Sequence, residues 1–262
     1  MTGVQVKLGD FTALAGNYAL YRPGYSPFVL DALIGLTGKK TNELTVADVG
    51  AGTGLWAAML AERGVNVFAV EPNTAMREAG VQKTASLGIS WFEGSGEKTG
   101  LPDNSCDIVS MASSFHWTEF EKATVEFHRI LKPGGYFIAL WNTRRYEINP
   151  LLVEIEKMVK EMIPNLKRIS SGRSEFCDGL SDRLLASPCF EDVLYLEGLH
   201  TEQQSREHYV GLWESVNDIR AQAGEQAFAA FIKRVWEKIE SVPHIDACYL
   251  TRTWIAKNAD NK

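Results

Sequence analysis

Residues 47–57 read Ala47-Asp48-Val49-Gly50-Ala51-Gly52-Thr53-Gly54-Leu55-Trp56-Ala57. An apolar run (Leu44, Val46, Val49) carries an acid near its end and then meets three alternate glycines. A helix-compatible run from Leu55 to Arg63 follows, and Gly64 can stop it. The pattern predicts a strand, a tight turn and a helix. Each glycine lacks a Cβ, so the backbone can turn sharply and approach a ligand closely. A ligand on such a turn meets free N–H groups at a helix start. The spacing is G-x-G-x-G and not the dinucleotide pattern G-x-G-x-x-G. The kind of nucleotide-like molecule bound there is therefore left to the flanking sequence.

Outward from this turn, strand and helix signals alternate. Asn66–Val70 reads as a strand ended by Glu71-Pro72-Asn73, and Asn73 or Thr74 can cap a helix through Met76 and Ala79. Ile89–Glu93 and Cys106–Ala112 read as strands, and Phe120–Leu131 has helical apolar spacing. Lys132-Pro133-Gly134-Gly135 predicts a turn before Tyr136–Trp141, which is apolar on both faces as a central strand should be. Such alternation predicts a parallel sheet with right-handed crossovers. Upstream, the first forty residues read as partly aromatic helix with a break at Arg22-Pro23-Gly24, and a helix from near Pro27 to about Leu36. Downstream, Asn149-Pro150 starts a helix striped by Leu152, Ile155, Met158, Val159 and Met162. A polar, turn-rich stretch runs from Ile169 to Asp182, then a strand at Val193–Leu199. Helices at Arg206–Arg220 and Glu225–Ile239 precede a long alternating strand, Ile245–Ala256. A strand entering so late suits antiparallel insertion into the sheet.

Composition narrows the class. The chain has 262 residues, 45% hydrophobic and 23% charged, ordinary for one globular α/β domain. A net charge of −6 and a pI near 5.5 give no basic footprint for nucleic acid. No signal pattern opens the chain and no apolar run approaches the roughly 20 residues that span a bilayer. Cys106, Cys177, Cys189 and Cys248 are scattered without a C-x-x-C pair, so core packing in a reducing cytoplasm is the simplest reading, with no metal site. His128, His200, His208 and His244 have no metal-ligand spacing.

Four features fall at carboxyl ends of successive strands: the glycine turn, Glu71, Glu93-Gly94-Ser95-Gly96-Glu97, and Met111-Ala112-Ser113-Ser114-Phe115-His116-Trp117. Ligands of open α/β sheets bind outside those ends, so the four should surround one crevice. A carboxylate at Glu71 has two acceptor oxygens for a pair of ribose hydroxyls. His116 is the one candidate general base with positional support; its alternative is a structural histidine. Trp117 reads as packing or as a wall of the crevice. Arg144 and Arg145 are substrate-side candidates or a solvated loop.

With these residues in view, the chain resembles the class I S-adenosylmethionine-dependent methyltransferases, of the small-molecule type similar to trans-aconitate methyltransferase (methyltransferase domain family 11). The resemblance rests on D-V-G-A-G-T-G (48–54), V-E-P-N-T-A-M-R (70–77), L-P-D-N-S-C-D-I-V (101–109), F-H-W (115–117) and R-I-L-K-P-G-G-Y (129–136). It covers residues 15–145 best, and Y-L-T-R-T-W-I-A-K (249–257) is similar to the family's last strand. It implies a Rossmann-like doubly wound sheet of seven strands in order 3-2-1-4-5-7-6, the seventh antiparallel, with helical cap additions. It implies one domain over 1–262: an N-terminal cap at 1–40, a cofactor-binding core at 41–145, and cap helices with the last two strands at 146–262. Gly50, Ala51, Gly52 and Gly54 would pass the methionine end of S-adenosyl-L-methionine by backbone and Glu71 would hold the ribose hydroxyls, with Asp48 and Pro72 also counted as cofactor-binding. Asn73 and Met76 would flank the adenine, with Ser95, Gly96 and Glu97 at its edge and Ser113 near the sulfonium or carboxylate. Many relatives place an acid where Ser95 stands. Tyr18, Tyr21 and Arg22 match the family's N-terminal segment; Arg22 would pair with the cofactor carboxylate or an acidic substrate, or form a surface ion pair.

The implied reaction is in-line methyl transfer to a small organic acceptor (an O, N or carboxyl group), leaving S-adenosyl-L-homocysteine. No nucleic-acid or membrane partner is expected, and monomer and homodimer both remain open. The competing readings are a nicotinamide-dependent oxidoreductase and a non-catalytic protein that binds S-adenosylmethionine.

Overall fold

The computed structural model describes residues 20–167 and 174–260, together with Gly16 and Gly172. Most of the expected N-terminal helix, Tyr18 included, lies outside the described residues. The strands are β1 (Thr45–Val49), β2 (Asn66–Val70), β3 (Ser90–Phe92), β4 (Cys106–Ala112), β5 (Leu131–Arg144), β6 (Phe190–Gln204) and β7 (Ile245–Asn258). They form one seven-stranded sheet in the order β3-β2-β1-β4-β5-β7-β6. β1 to β5 run parallel, and β7 is antiparallel to both neighbours, β5 and β6. The order and the reversed last strand match the expectation.

The sheet is covered on both faces because its central strands are apolar on both. In β5, Phe137, Ala139 and Trp141 belong to one buried cluster and Ile138 and Leu140 to the other. The first cluster is closed by α4 (Phe120–Ile130) and α6 (Leu180–Ala186), the second by α1 (Pro27–Leu36) and α2 (Leu55–Ala61). Phe120, Ala123, Phe127 and Ile130 give α4 one apolar stripe, and the Phe127 ring stacks on Phe137 at 4.9 Å. Burying each such large side chain stabilises the fold by about 1.5–3 kcal/mol. α3 (Thr74–Lys83) starts where the Asn73 side chain accepts the Met76 N–H at 3.1 Å. Helices α5 (Pro150–Met162), α7 (Arg206–Glu214), α8 (Asn217–Ala223) and α9 (Glu225–Ile239) share a third apolar cluster, together with Ile245 of β7.

Three local expectations are corrected. The Lys132–Gly135 turn is a bulge inside β5: the pairing steps from Cys106↔Leu131 to Ile108↔Tyr136, so the extra residues loop out without ending the strand. The segment read as polar and turn-rich up to Asp182 contains the start of α6, a short helix whose Leu180 and Leu184 are fully buried. The helix expected at Arg206–Arg220 is two, because the Ser215 hydroxyl bonds back to Leu212 O at 2.7 Å and Val216 is extended. The carbonyl of Ser215 accepts from Arg22 Nη2 at 3.1 Å. No helix among the described residues is long and apolar enough to cross a membrane. The four cysteines are buried thiols.

Candidate functional site

The carboxyl ends of β1, β2 and β4 open into a cavity of about 300 Å³. Its floor is the turn between β1 and α2, where Gly50, Gly52 and Gly54 all have left-handed φ, at 67°, 58° and 77°. Gly50 N and Ala51 N donate to Val70 O at 2.8 and 3.1 Å, which pins the turn to the end of β2. Glu71 follows at once. Its carboxylate accepts Gly52 N–H through Oε2 and Asn73 N–H through Oε1, both at 2.8 Å. One side chain thus ties the glycine turn to the cap of α3, while its remaining lone pairs face the cavity. Burial pushes the Glu71 carboxyl up; the Asn73 and Gly52 N–H groups and the Arg77 guanidinium oppose that. Arg77 is held at this corner by Glu71 O at 2.8 Å and Glu93 Oε2 at 2.9 Å.

The opposite wall comes from three other segments. Ser95, Gly96 and Glu97 sit in a tight turn closed by Ser95 N to Lys98 O at 3.0 Å. The Glu97 carboxylate accepts the Glu119 N–H at 2.8 Å, anchoring this turn to the start of α4. Burial raises the Glu97 carboxyl, but the N–H of Glu119 and its other partners outweigh it and leave a lowered value. Ser113, after β4, holds a left-handed φ of 58° although it is not glycine. Its N–H donates to Leu140 O at 2.7 Å, and its hydroxyl meets the Tyr25 hydroxyl at 3.0 Å. Tyr25 reaches across from the N-terminal segment, whose Gly24 O accepts Asn142 Nδ2 at 2.6 Å and whose Ser26 N donates to Thr251 Oγ1 at 2.8 Å. The cavity therefore offers backbone N–H groups at a helix start, a carboxylate beside them, an apolar slot (Met76, Met111, Trp117) and a hydroxyl pair. Those features fit the amino-acid, ribose, adenine and sulfonium parts of S-adenosylmethionine, and Cβ-free Gly50 and Gly52 leave the floor open to it.

Comparison with known proteins agrees. Residues 47–139 match the family described as methyltransferase domain. That match spans the part of the sheet from β1 into β5 that carries the cavity. It is 37% identical over 139 residues to an uncharacterized methyltransferase of Mycobacterium tuberculosis, a match spanning 52% of this chain and 53% of that protein. The chain thus spans about half the length of that relative. It is 26% identical to an uncharacterized methyltransferase-like protein of Schizosaccharomyces pombe across 98% of this chain and 99% of the other. A solved structure of a candidate type II methyltransferase from Anaeromyxobacter dehalogenans shares the fold, with a TM-score of 0.63 at 20% identity, covering 91% of this chain and 97% of that one.

Of the residues that the class I resemblance named, Arg22, Gly50, Ala51, Gly52, Glu71, Pro72, Asn73, Met76, Ser95, Gly96, Glu97 and Ser113 line the cavity. Four do not. Gly54 lies under the Trp91 ring, where a Cβ would come within 2.9 Å of it. Tyr21 packs on Gly211 and edge-on to His208, away from the cavity. Asp48 is fully buried beneath the turn, and neither carboxylate oxygen has a hydrogen-bond partner among the described residues. Burial pushes its carboxyl well up; the Ala57 N–H favours the ionised form without meeting hydrogen-bond geometry, and Glu71 repels it. Asp48 is thus a support under the glycine turn.

His116 is the fourth. Phe115–Trp117 forms a 3₁₀ turn, with three residues per turn, so successive side chains point in three directions. Ser114 and Trp117 face the cavity and Phe115 the core, while His116 packs beside Trp141 and Phe176. Its Nδ1 accepts from Trp141 Nε1 at 3.3 Å. Burial lowers its pKa to about 4, so the ring is neutral at pH 7. The unfolded chain, with the ordinary value of 6.5, takes up a proton that the folded ring refuses. Stability present above pH 6.5 should therefore fall on acidification to pH 4, by on the order of 2–3 kcal/mol. Urea midpoints between pH 7 and pH 4.5 should show this loss, and His116→Gln should flatten it; equal slopes in both proteins would exclude a buried neutral imidazole.

Sequence reading placed the 111–117 stretch, with Met111 and Ser114, at the crevice, but it did not single out Tyr25 or Thr118, which also line it. The only signal for Tyr25 was its place in Tyr21-Arg22-Pro23-Gly24-Tyr25, a break that holds the chain extended.

Proposed function

We propose that this chain transfers a methyl group from S-adenosylmethionine to a small organic acceptor. The observation that carries the reading is Glu71: a buried carboxylate tied to Gly52 N–H at 2.8 Å, facing a cavity floored by the glycine turn. Gly50, Ala51 and Gly52 would hold the methionine end by main-chain groups, Glu71 the ribose hydroxyls, and Asn73, Met76 and Trp117 the adenine. Ser95 would meet the adenine edge through its hydroxyl or carbonyl, in place of the acid many relatives carry. When bound, the cofactor supplies a methyl group already activated on a positively charged sulfur. The acceptor's lone pair takes that methyl while the carbon–sulfur bonding pair returns to sulfur, giving neutral S-adenosylhomocysteine.

The protein's part is alignment and exclusion of water. Holding two reactants in line contributes several kcal/mol, up to roughly 7–11 in the best intramolecular models. His116 supplies no base from its buried place. The acceptor nucleophile is therefore one that is already deprotonated, or one that passes its proton to a hydroxyl such as Tyr25 or to water. The charge balance of −6 suits a small acceptor and not a polyanionic nucleic acid.

Calorimetry tests the cofactor reading directly. S-adenosylhomocysteine should bind one site per chain at micromolar or lower Kd, and NAD should not bind. Tight NAD binding without S-adenosylhomocysteine binding would replace methyl transfer with a nicotinamide reaction. Binding with no S-adenosylhomocysteine released from S-adenosylmethionine across a broad acceptor panel would favour a non-catalytic role.

A further inference from the structure

Among the described residues, three that are not glycine hold a left-handed φ: Asn104 at 49°, Ser113 at 58° and Asp192 at 48°. Asparagine and aspartate visit that region through short polar side chains that bond locally, whereas other L-residues bear a steric cost there. Ser113 is the exception in residue type, and of the three it alone lines the cavity. Glycine at this position would remove the cost, so the serine side chain itself calls for a reason. Holding the N-terminal segment in place is not that reason. Tyr25, whose hydroxyl meets Ser113 Oγ at 3.0 Å, is fixed from elsewhere. Its N–H meets Met59 Sδ at 3.4 Å, and its ring stands edge-on to Trp56 with centroids 5.3 Å apart. On either side of it, Gly24 N–H donates to Glu202 Oε1 and Ser26 N–H to Thr251 Oγ1, each at 2.8 Å.

The Ser113 hydroxyl borders the turn assigned to the methionine end, whose sulfur carries the donor's positive charge. β4 is the sheet neighbour of β1, and Ser114, the next residue, sits against the turn: a Cβ on Gly50 would lie 2.7 Å from Ser114 Cβ. The two acids that line the cavity are engaged with backbone N–H groups, Glu71 with those of Gly52 and Asn73 and Glu97 with that of Glu119. A serine oxygen carries two acceptor lone pairs. Either hydroxyl can donate in the contact between Tyr25 and Ser113. A positive group in the cavity selects the arrangement in which Ser113 donates, with its proton toward Tyr25 and its lone pairs toward the charge. A carboxylate in that place would hold the charged donor more strongly than the transition state, where the charge is being lost, and would slow transfer. A neutral oxygen avoids this and still tells a sulfonium from a thioether. We infer that Ser113 discriminates the charged methyl donor from its neutral product, and that Tyr25 is the positioning residue that aims the Ser113 hydroxyl. The inference rests on the proposed methyl transfer, and its failure can be told from failure of that reading.

The test compares S-adenosylmethionine, without any acceptor, and S-adenosylhomocysteine by calorimetry in the wild type and in Ser113→Ala, Ser113→Gly and Tyr25→Phe. Tyr25→Phe keeps the ring on Trp56, and circular dichroism reports the fold of each variant. Each substitution should weaken S-adenosylmethionine about fivefold or more and leave S-adenosylhomocysteine within about twofold, since a hydrogen-bonding oxygen facing a charge is lost and the neutral product never used it. Ser113→Gly should also melt at a higher temperature than Ser113→Ala, because both lack the hydroxyl and only alanine keeps the strained φ. Equal weakening of both ligands would overturn the inference and give the hydroxyl to the amino-acid end that the two share. Wild-type affinity for S-adenosylmethionine in the Ser113 variants would overturn it as well. In either case two bound ligands leave the methyl-transfer reading standing. Binding of neither ligand by the wild type would remove that reading and this inference together.

Discussion

Glu71→Ala is expected to lower S-adenosylhomocysteine affinity about 100-fold or more. The carboxylate makes two kinds of contact at once. Facing the cavity, it would accept two ribose hydroxyls, and hydrogen bonds to a charged group are worth about 1.5–3 kcal/mol each. Losing about 3 kcal/mol corresponds to roughly 100-fold in Kd. Facing the protein, it accepts Gly52 N–H and Asn73 N–H at 2.8 Å, so its removal also frees the glycine turn from α3. Glu71→Gln keeps the shape and one acceptor oxygen, and should cost about tenfold. Calorimetry with S-adenosylhomocysteine measures both, and a melting curve checks that the variants fold. Affinity within threefold of wild type in Glu71→Ala would remove the ribose assignment.

Gly50→Ala should damage stability and binding together. Gly50 has φ 67°, where an L side chain costs about 1–2 kcal/mol. A Cβ there would lie 2.7 Å from Ser114 Cβ and 2.8 Å from its Oγ. Ser114 has little freedom to retreat, because its hydroxyl donates to Val49 O at 3.0 Å. Overpacking of this kind adds about 1–3 kcal/mol. The sum, about 3 kcal/mol, should lower the melting temperature by roughly 6–10 °C and displace the cavity floor. Gly38→Ala is the control: its φ is 65° but nothing lies within 4 Å of the added Cβ. It should cost about 1 kcal/mol and leave S-adenosylhomocysteine affinity unchanged. Similar affinity losses in both variants would show that backbone strain, and not closeness to the ligand, gives Gly50 its importance.

The fold was legible because its signals are local and repeated. β2, β4 and α9 fall where apolar periodicity put them, at Asn66–Val70, Cys106–Ala112 and Glu225–Ile239. Helix α6 was missed because a seven-residue helix offers too few turns for a stripe to emerge, and its stability comes from Leu180 and Leu184 against the core. The break between α7 and α8 was missed because Ser215 is compatible with a helix by itself. Its hydroxyl bond to Leu212 O, with Val216 extended and the carbonyl taken by Arg22, ends it.

By itself, the sequence determined the doubly wound sheet, the glycine turn and the acid at the end of the second strand. These depend on spacing within about 25 residues, and strand-end positions in an open parallel sheet converge whatever the distant chain does. Only the tertiary structure decided which side chains face the cavity. It brought Tyr25 to within 3.0 Å of Ser113, 88 residues away. It also turned His116 out of the site, because a 3₁₀ turn rotates each successive side chain by about 120°. One residue of phase there separates a base from a packed ring, and packing of the aromatic cluster sets that phase.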